Sequence, residues 1–367
     1  MTSFLITKKD NKSYEEKLSS APESTKRNKV YAIQAFERFC QEKYKKSSEE
    51  IIKEIIKIKQ DQSEEYENAL YDVLQEWINW NMKRKIGNYT IRTRFSNLRK
   101  YLFHMGVKTN EQDIKEYLTF GKISREERYP LSSEEFRRII EGCARTPRLQ
   151  ALFLTLGSSG MRIGEALNLK KKDLDFTKKR IKVNIPPTTK TRTGRTTYLS
   201  YETEKILKPL LVNKNQEDKI FARNGSDTSD RSVRTTLNRC LKRMGFSEKY
   251  QSNNYRKITS HSFRAYFFTK AARKHGENYA HRMTGHGGYL MQYDRMTEDE
   301  KLEMYIELEP DLVVFDQTKN ELEIAKLRDK VDGLDELKKE VQKLRENQAK
   351  SDKQRIEEMR NQGTLLS

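Results

Sequence analysis

Apolar residues recur at three- and four-residue intervals along most of this chain, the period of a helix face, and the rhythm changes to alternation only between about 172 and 200. In STKRNKVYAIQAFERFCQEKY, Ile33, Phe36, Phe39 and Cys40 fall on one stripe. SEEIIKEIIKIK follows, with a cap expected near Ser48, and SEEYENALYDVLQEWINWNM carries Leu70, Val73, Leu74, Trp77 and Ile78. NYTIRTRFSNLRKYLFHMG repeats Ile91, Phe95, Leu98 and Leu102, and Gly106 suits its stop. A shorter helix, EQDIKEYLTF, closes this group. The pattern predicts a helical domain over 22–120, preceded by a polar, flexible arm at 1–21 and followed by a charged linker, GKISREERYP, at 121–130.

Ser132 and Glu135 then have the spacing of a capping box, opening a second domain over 131–315 with the helix FRRIIEGCA. KDLDF, RIKVNIP and RTTYLS read as three short strands, and helices resume at 201–212, 231–244, 261–275 and 286–307. The tail, 316–367, repeats Ile324, Leu327, Val331, Leu334, Leu337, Val341 and Leu344, a heptad seam that slips by three at Leu334–Leu337 beside Gly333. Self-association and packing back onto its own domain are equally open for it. The expected fold is mainly α with a small antiparallel β-sheet, in two domains, one helical and one mixed α/β, ending in a coiled-coil-like helix.

Composition narrows the partner. The 367 residues carry a formal net charge of +19, and residues 318–367 are nearly balanced, with 12 Lys/Arg against 11 Asp/Glu. From Trp77 to Asn110 there are eight basic residues and no acid, and from Arg231 to Gly276 there are 12 basic residues and one acid, Glu248. Two such stretches, interleaved with aromatic and amide side chains, favour a nucleic-acid partner over an ordinary solvated face. No apolar run reaches the roughly 18 residues of a membrane span, and the first residues lack the order of a signal peptide; a cytoplasmic protein is expected. Cys40, Cys143 and Cys240 are unpaired in spacing, and the five histidines form no metal-ligand pattern, so no metal or other cofactor is expected.

Four segments of the second domain carry candidate chemistry. GSSGMRIGEALNL places Arg162 after a glycine-rich turn, with Glu165 three residues on; TTKTRTGRTTYLS is a basic loop containing Lys190; SHSFRAYFF sets His261 and Arg264 one helical turn apart; and MTGHGGYLMQY holds His286, Tyr289 and Tyr293. Each alone has an ordinary explanation: a surface ion pair, a solvated lysine, a helix face, a core aromatic. In the order R…K…H-x-x-R…G-H…Y they resemble the catalytic domain of the phage-integrase type tyrosine recombinases, over roughly 130–310. Residues 22–120 are similar in character to that family's helical core-binding domain.

The resemblance implies site-specific DNA cleavage and rejoining through a covalent 3′-phosphotyrosine, without metal or ATP. It casts Arg162 and Arg264 as forked donors to the phosphate oxygens, where negative charge builds during attack. His286 adds a hydrogen bond, His261 supports the phosphate or moves a proton, Lys190 protonates the departing 5′ oxygen, and Glu165 orients Arg162. A free phenol has a pKa near 10 and is a poor nucleophile until nearby positive charge lowers it. Tyr293, seven residues beyond His286, is the nucleophile of choice, slightly nearer than the family's usual spacing; Tyr289, three beyond, is held in reserve, and Tyr305, nineteen beyond, is too far.

The expected partner is double-stranded DNA bearing a specific recombination site, contacted by Lys83, Arg84, Lys85, Arg92, Arg94, Arg99, Lys100, Arg192, Arg195, Arg256 and Lys257, with the two domains closing on the duplex and the protein acting as a homo-tetramer on paired sites. Two other readings remain. A type IB topoisomerase-like enzyme would relax supercoils, but its Ser-Lys box is not visible; a non-catalytic DNA-binding protein of the same fold would have lost an Arg, Lys or Tyr that this chain keeps.

Overall fold

The computed structural model describes residues 9–61, 65–124, 126–143, 146–187, 194–223, 226–285 and 295–361. The chain divides into two units, 1–126 with 251–254, and 127–250 with 255–367.

The first unit is all helical: α1 (Asn11–Ser19), α2 (Glu23–Tyr44), α3 (Ser48–Gln60), α4 (Glu65–Lys83), α5 (Asn88–His104) and α6 (Glu111–Tyr117). The predicted stripes are its core, since Phe36, Phe39 and Cys40 of α2 meet Leu70, Leu74, Trp77 and Ile78 of α4 and Ile91, Phe95, Leu98 and Leu102 of α5 in one buried cluster. The cap of α3 is Ser47, one residue before the expected position: its hydroxyl accepts from the Glu50 N–H at 3.2 Å while the Glu50 carboxylate takes the Ser47 N–H at 2.7 Å. Gly106, at φ +100°, takes the turn after α5 where a side chain would be strained.

The flexible arm is corrected for 11–19, which is helix α1. Asp10 caps it, accepting the Ser13 N–H at 2.9 Å. Tyr14 and Leu18, four apart and so on one face, are 3% and 2% exposed. The Tyr14 ring lies edge-on to Tyr101 at 5.4 Å. Two apolar residues in an otherwise polar stretch suffice to dock a helix this short.

The second unit is built around α8 (Pro147–Ser159), whose Ala151, Leu152, Phe153, Leu154 and Leu156 are all buried, on every side of the helix. A helix apolar all round belongs at the centre of a core. Around it stand α7 (Ser133–Cys143), α9 (Ile163–Asn168), α10 (Tyr201–Leu211), α11 (Asp230–Arg243), α12 (Ser260–Thr284) and α13 (Glu298–Leu312). The Ser132–Glu135 capping box of α7 is present, at 3.1 and 2.9 Å. Three antiparallel strands, β1 (Leu174–Asp175), β2 (Lys182–Ile185) and β3 (Arg195–Tyr198), form one sheet in that order. Val183 pairs with Leu174 on one side and Thr197 on the other.

One boundary is met and one differs. The helix predicted to stop at 275 does so: Gly276, at φ +85° and ψ 165°, is non-helical, and a second helical segment follows it to Thr284, the two together making up α12. The helix expected over 286–307 is described from Glu298, capped by Thr297 and Glu300; residues 286–294 lie outside the described residues. The tail is a single helix, α14 (Asp316–Asn361). Among the described residues no helix is long and apolar enough to cross a membrane.

Docking of α1 is directly testable. Tyr14→Ala removes a buried aromatic and is expected to lower the free energy of urea unfolding by about 3 kcal/mol; an undocked arm would leave it unchanged.

Candidate active site

The site forms where four elements of the second unit end or begin together. Helix α8 stops at Gly160, whose φ of +64° is left-handed. A Cβ there would lie 2.5 Å from Phe267 and 2.8 Å from Thr284, so glycine alone lets α8 end against α12. Two residues on, Arg162 sits in extended conformation as the N-cap of α9. Glu165 reaches back to it: one carboxylate oxygen accepts the Arg162 N–H at 2.8 Å and the other accepts Nη1 of Arg162 at 3.0 Å.

The same carboxylate binds a second arginine. Arg195, the first residue of β3, donates Nη1 and Nη2 to the two Glu165 oxygens at 3.1 and 2.6 Å, and its Nε donates to the Met283 carbonyl at 3.1 Å. The side chains of Arg195 and Glu165 are 7% and 5% exposed. Arg195 was expected on the DNA; instead its guanidinium is turned inward, because a buried carboxylate on α9 and a carbonyl near the end of α12 use its donors. Burial alone would push the Glu165 carboxyl up, but the hydrogen bonds and charge of Arg195, with those of Arg162, outweigh it and hold the group below the usual carboxylate range.

Arg264 is buried on the second turn of α12. Its Nη1 donates to the Gly160 carbonyl at 2.5 Å and its Nη2 to the Thr284 carbonyl at 2.7 Å. It therefore joins the end of α8 to the last turn of the helical segment that follows Gly276, which leads in sequence to His286. Loss of water, then the positive charges of Arg162 and Arg195, lower its pKa to about 10, against which Glu165 pulls upward. The guanidinium stays charged at neutral pH but is held among like charges.

His261, one turn earlier, follows the Thr259 cap, whose hydroxyl accepts the His261 N–H at 3.2 Å. The residue is exposed, yet its pKa is pushed below that of an ordinary histidine, by partial desolvation of the ring and by the charges of Arg264, Arg162 and Arg128. At neutral pH the imidazole is neutral, with a lone pair for a proton.

Arg162, His261 and Arg264 line one cleft of about 920 Å³, with Lys170, Lys172 and Lys219 also on its wall. Sequence reasoning missed these lysines: Lys170 and Lys172 belong to an unremarkable basic run after α9, and Lys219 stands far along the chain with no motif around it. Lys170 and Lys172 are paired with Glu217 at 2.8 and 2.6 Å, on its exposed rim. Lys190, Arg192, His286, Tyr289 and Tyr293 lie outside the described residues. Tyr305, rejected on spacing, is fully buried; its hydroxyl donates to the Ser158 carbonyl at 2.8 Å, and burial pushes its pKa well up, so it is a core residue.

The other basic candidates fall outside this cleft. Lys83, Arg84, Lys85, Arg92 and Lys100 of the first unit are exposed. Arg84 pairs with Glu42 at 3.2 Å and stacks 4.5 Å over Trp80, and Arg92 lies 4.7 Å over Phe120. Arg94 and Arg99 are half-buried, donating to Asn81 at 3.3 Å and Thr109 at 2.9 Å. In the second unit Arg256 is half-buried, and Lys257 pairs with Glu248 at 2.6 Å.

Residues 129–287 match the model of the phage integrase family. In fold the chain is similar to lambda integrase dimers bound to a COC′ core site. One covers 78% of this chain and 79% of its own, at 16% identity and a TM-score of 0.55. Another, of residues 75–356 of that integrase, covers 78% and 97% at 15% identity and a TM-score of 0.54. A search of the curated proteins finds no match. The family match takes in Arg162, His261 and Arg264 and spans 159 of the 367 residues.

Glu165 is expected to be a stability determinant as well as a positioning residue. Glu165→Gln leaves Arg195 without its buried counter-charge and should cost about 3 kcal/mol in urea unfolding at pH 7. Because the folded carboxyl titrates below its unfolded value of about 4.3, its contribution is complete above that value. It is lost as pH falls through the lower folded pKa, so wild type and variant should converge in acid. A difference that does not vary with pH would contradict the carboxylate account.

Proposed function

We propose that this protein is a site-specific DNA recombinase that cleaves and rejoins duplex DNA through a covalent 3′-phosphotyrosine. One observation carries the reading: two arginines from separate sequence boxes, Arg162 and Arg264, open with His261 into a single cleft, close enough for the charge of one to depress the pKa of the other. Such a cleft suits a phosphodiester, whose non-bridging oxygens gain negative charge as a fifth oxygen approaches phosphorus. The neighbours of similar fold carry core-site DNA, in keeping with that ligand.

In this mechanism the scissile phosphate enters the cleft and its oxygens take hydrogen bonds from Arg162 and Arg264. The Tyr293 phenol loses its proton toward the neutral imidazole of His261, and its oxygen attacks phosphorus. The bond to the 5′ oxygen breaks, and Lys190 supplies the proton that leaves it as a hydroxyl, while His286 supports the phosphate. The phosphotyrosine keeps the phosphodiester bond energy, so attack by a 5′ hydroxyl reverses each step and reseals a strand, either the original or an exchanged one. Glu165 and Arg195 take no part in bond making; they hold Arg162 and the end of α12 in place. The exposed basic residues of the first unit, Lys83 to Lys100, serve as sequence-independent phosphate contacts, and pairing of two sites calls for a homo-oligomer.

The test is covalent capture on a pool of nicked duplexes of randomised sequence, read as protein retained on DNA after denaturation. Wild type should form the adduct, and Tyr293→Phe should abolish it while leaving duplex binding within about twofold. An adduct that survives in Tyr293→Phe but disappears in Tyr289→Phe would transfer the nucleophile to Tyr289. Absence of any adduct from wild type on bound DNA would overturn the reading.

A further inference from the structure

Among the described residues the seam of α14 has no partner. Ile324, Leu327, Val331, Leu334, Leu337, Val341 and Leu344 are between 42% and 61% exposed, on a helix held to its unit near its start by Asp316 against Arg137 and Glu321 against Lys205. Packing back onto the unit, one of the two outcomes open from sequence, is therefore not what the structure shows. Seven apolar side chains along one stripe, about 30 Å of helix at roughly 1.5 Å per residue, need a cover.

We propose that residues 324–344 form a parallel, in-register, two-stranded coiled coil with a second copy of this chain. The charges beside the seam choose both the occupant and its direction. With Ile324 and Val331 at a, and Leu327 and Leu334 at d, Glu323 and Lys330 stand at g while Arg328 and Asp335 stand at e. After the slip Leu334 and Val341 take a, Leu337 and Leu344 take d, Glu340 takes g and Arg345 takes e. In a parallel pair each g residue meets the e residue five positions on in the other helix. The three charged contacts are Glu323 with Arg328, Lys330 with Asp335 and Glu340 with Arg345, all opposite in sign and each made twice by symmetry.

An antiparallel pair would also match the apolar residues, setting Ile324 against Leu344 and Leu334 against its own copy. Its flanking contacts are mixed, however: Lys330 meets Glu340, but Arg328 meets Lys338, each twice, and the latter is a repulsion that the parallel pair avoids. The parallel arrangement also brings the slip to the same level in both helices, so each irregular layer stacks on itself. A second copy is thus the partner whose charges fit, and the contact needs no DNA.

The experiment is sedimentation equilibrium of the full chain at micromolar concentration without DNA. Wild type should have the mass of two chains, and Leu334→Asp with Leu344→Asp the mass of one, with an unchanged melting curve for the rest of the protein because both residues are exposed. Glu340→Arg alone and Arg345→Glu alone should each raise the dissociation constant several-fold, and the two together should restore it. Val341→Cys fixes the direction: mild oxidation should cross-link the parallel dimer, where residue 341 meets itself, but not an antiparallel one, where it faces Leu327. A monomeric wild type, a dimer indifferent to the aspartates, no recovery in the charge swap, or no cross-link beyond the wild-type background would each overturn the proposal. Because the readout is mass without DNA, it can fail while covalent capture succeeds, and the reverse.

Discussion

Everything in the second unit that bears on chemistry depends on keeping three guanidiniums together. Like charges at such a site repel, and Arg264 records the cost in a pKa lowered to about 10 by desolvation and by Arg162 and Arg195. The arrangement persists because each guanidinium is held. Glu165 takes both Arg162 and Arg195, while Arg264 is tied to two main-chain carbonyls, those of Gly160 and Thr284. The supports are internal to the fold, so the cleft is preorganised, and an entering phosphate would relieve repulsion already present.

That scaffold also explains why the elements end where they do. A left-handed glycine stops α8 against Phe267 and Thr284, and the freed Gly160 carbonyl becomes an acceptor for Arg264. The non-helical break at Gly276 redirects the chain, so that Arg264 on the first segment of α12 donates to the Thr284 carbonyl at the end of the second. Arg195 then joins the sheet to both α9 and α12 through Glu165 and Met283. Stability and site geometry share one set of contacts, so a change at Glu165 is felt in both.

Much of this was legible in the sequence. Helix stripes such as Phe36, Phe39 and Cys40 declare themselves because burial imposes their period, and the three strands because alternation replaces it. Arg162 and Arg264 could be paired from the order of their boxes, and the structure places both on one cleft. What was not legible depended on distant partners. Arg195 reads as a free cation until the fold delivers Glu165, thirty residues earlier in sequence. Helix α1 is signalled by only Tyr14 and Leu18, whereas the helix end expected at 275 is where the non-helical Gly276 falls. The seam of α14 looks the same whether it folds back or dimerises; only its exposure decides.

The central claim is that Arg162 and Arg264 act on a single phosphate, and a double-mutant cycle tests it most directly. Covalent capture rates would be compared for Arg162→Lys, Arg264→Lys and the double variant, lysine keeping the charge while removing the fork. Two donors serving one transition state are coupled, so the double variant should lose far less than the product of the single losses. Losses that simply multiply would mean that the two arginines work independently, and would contradict the account.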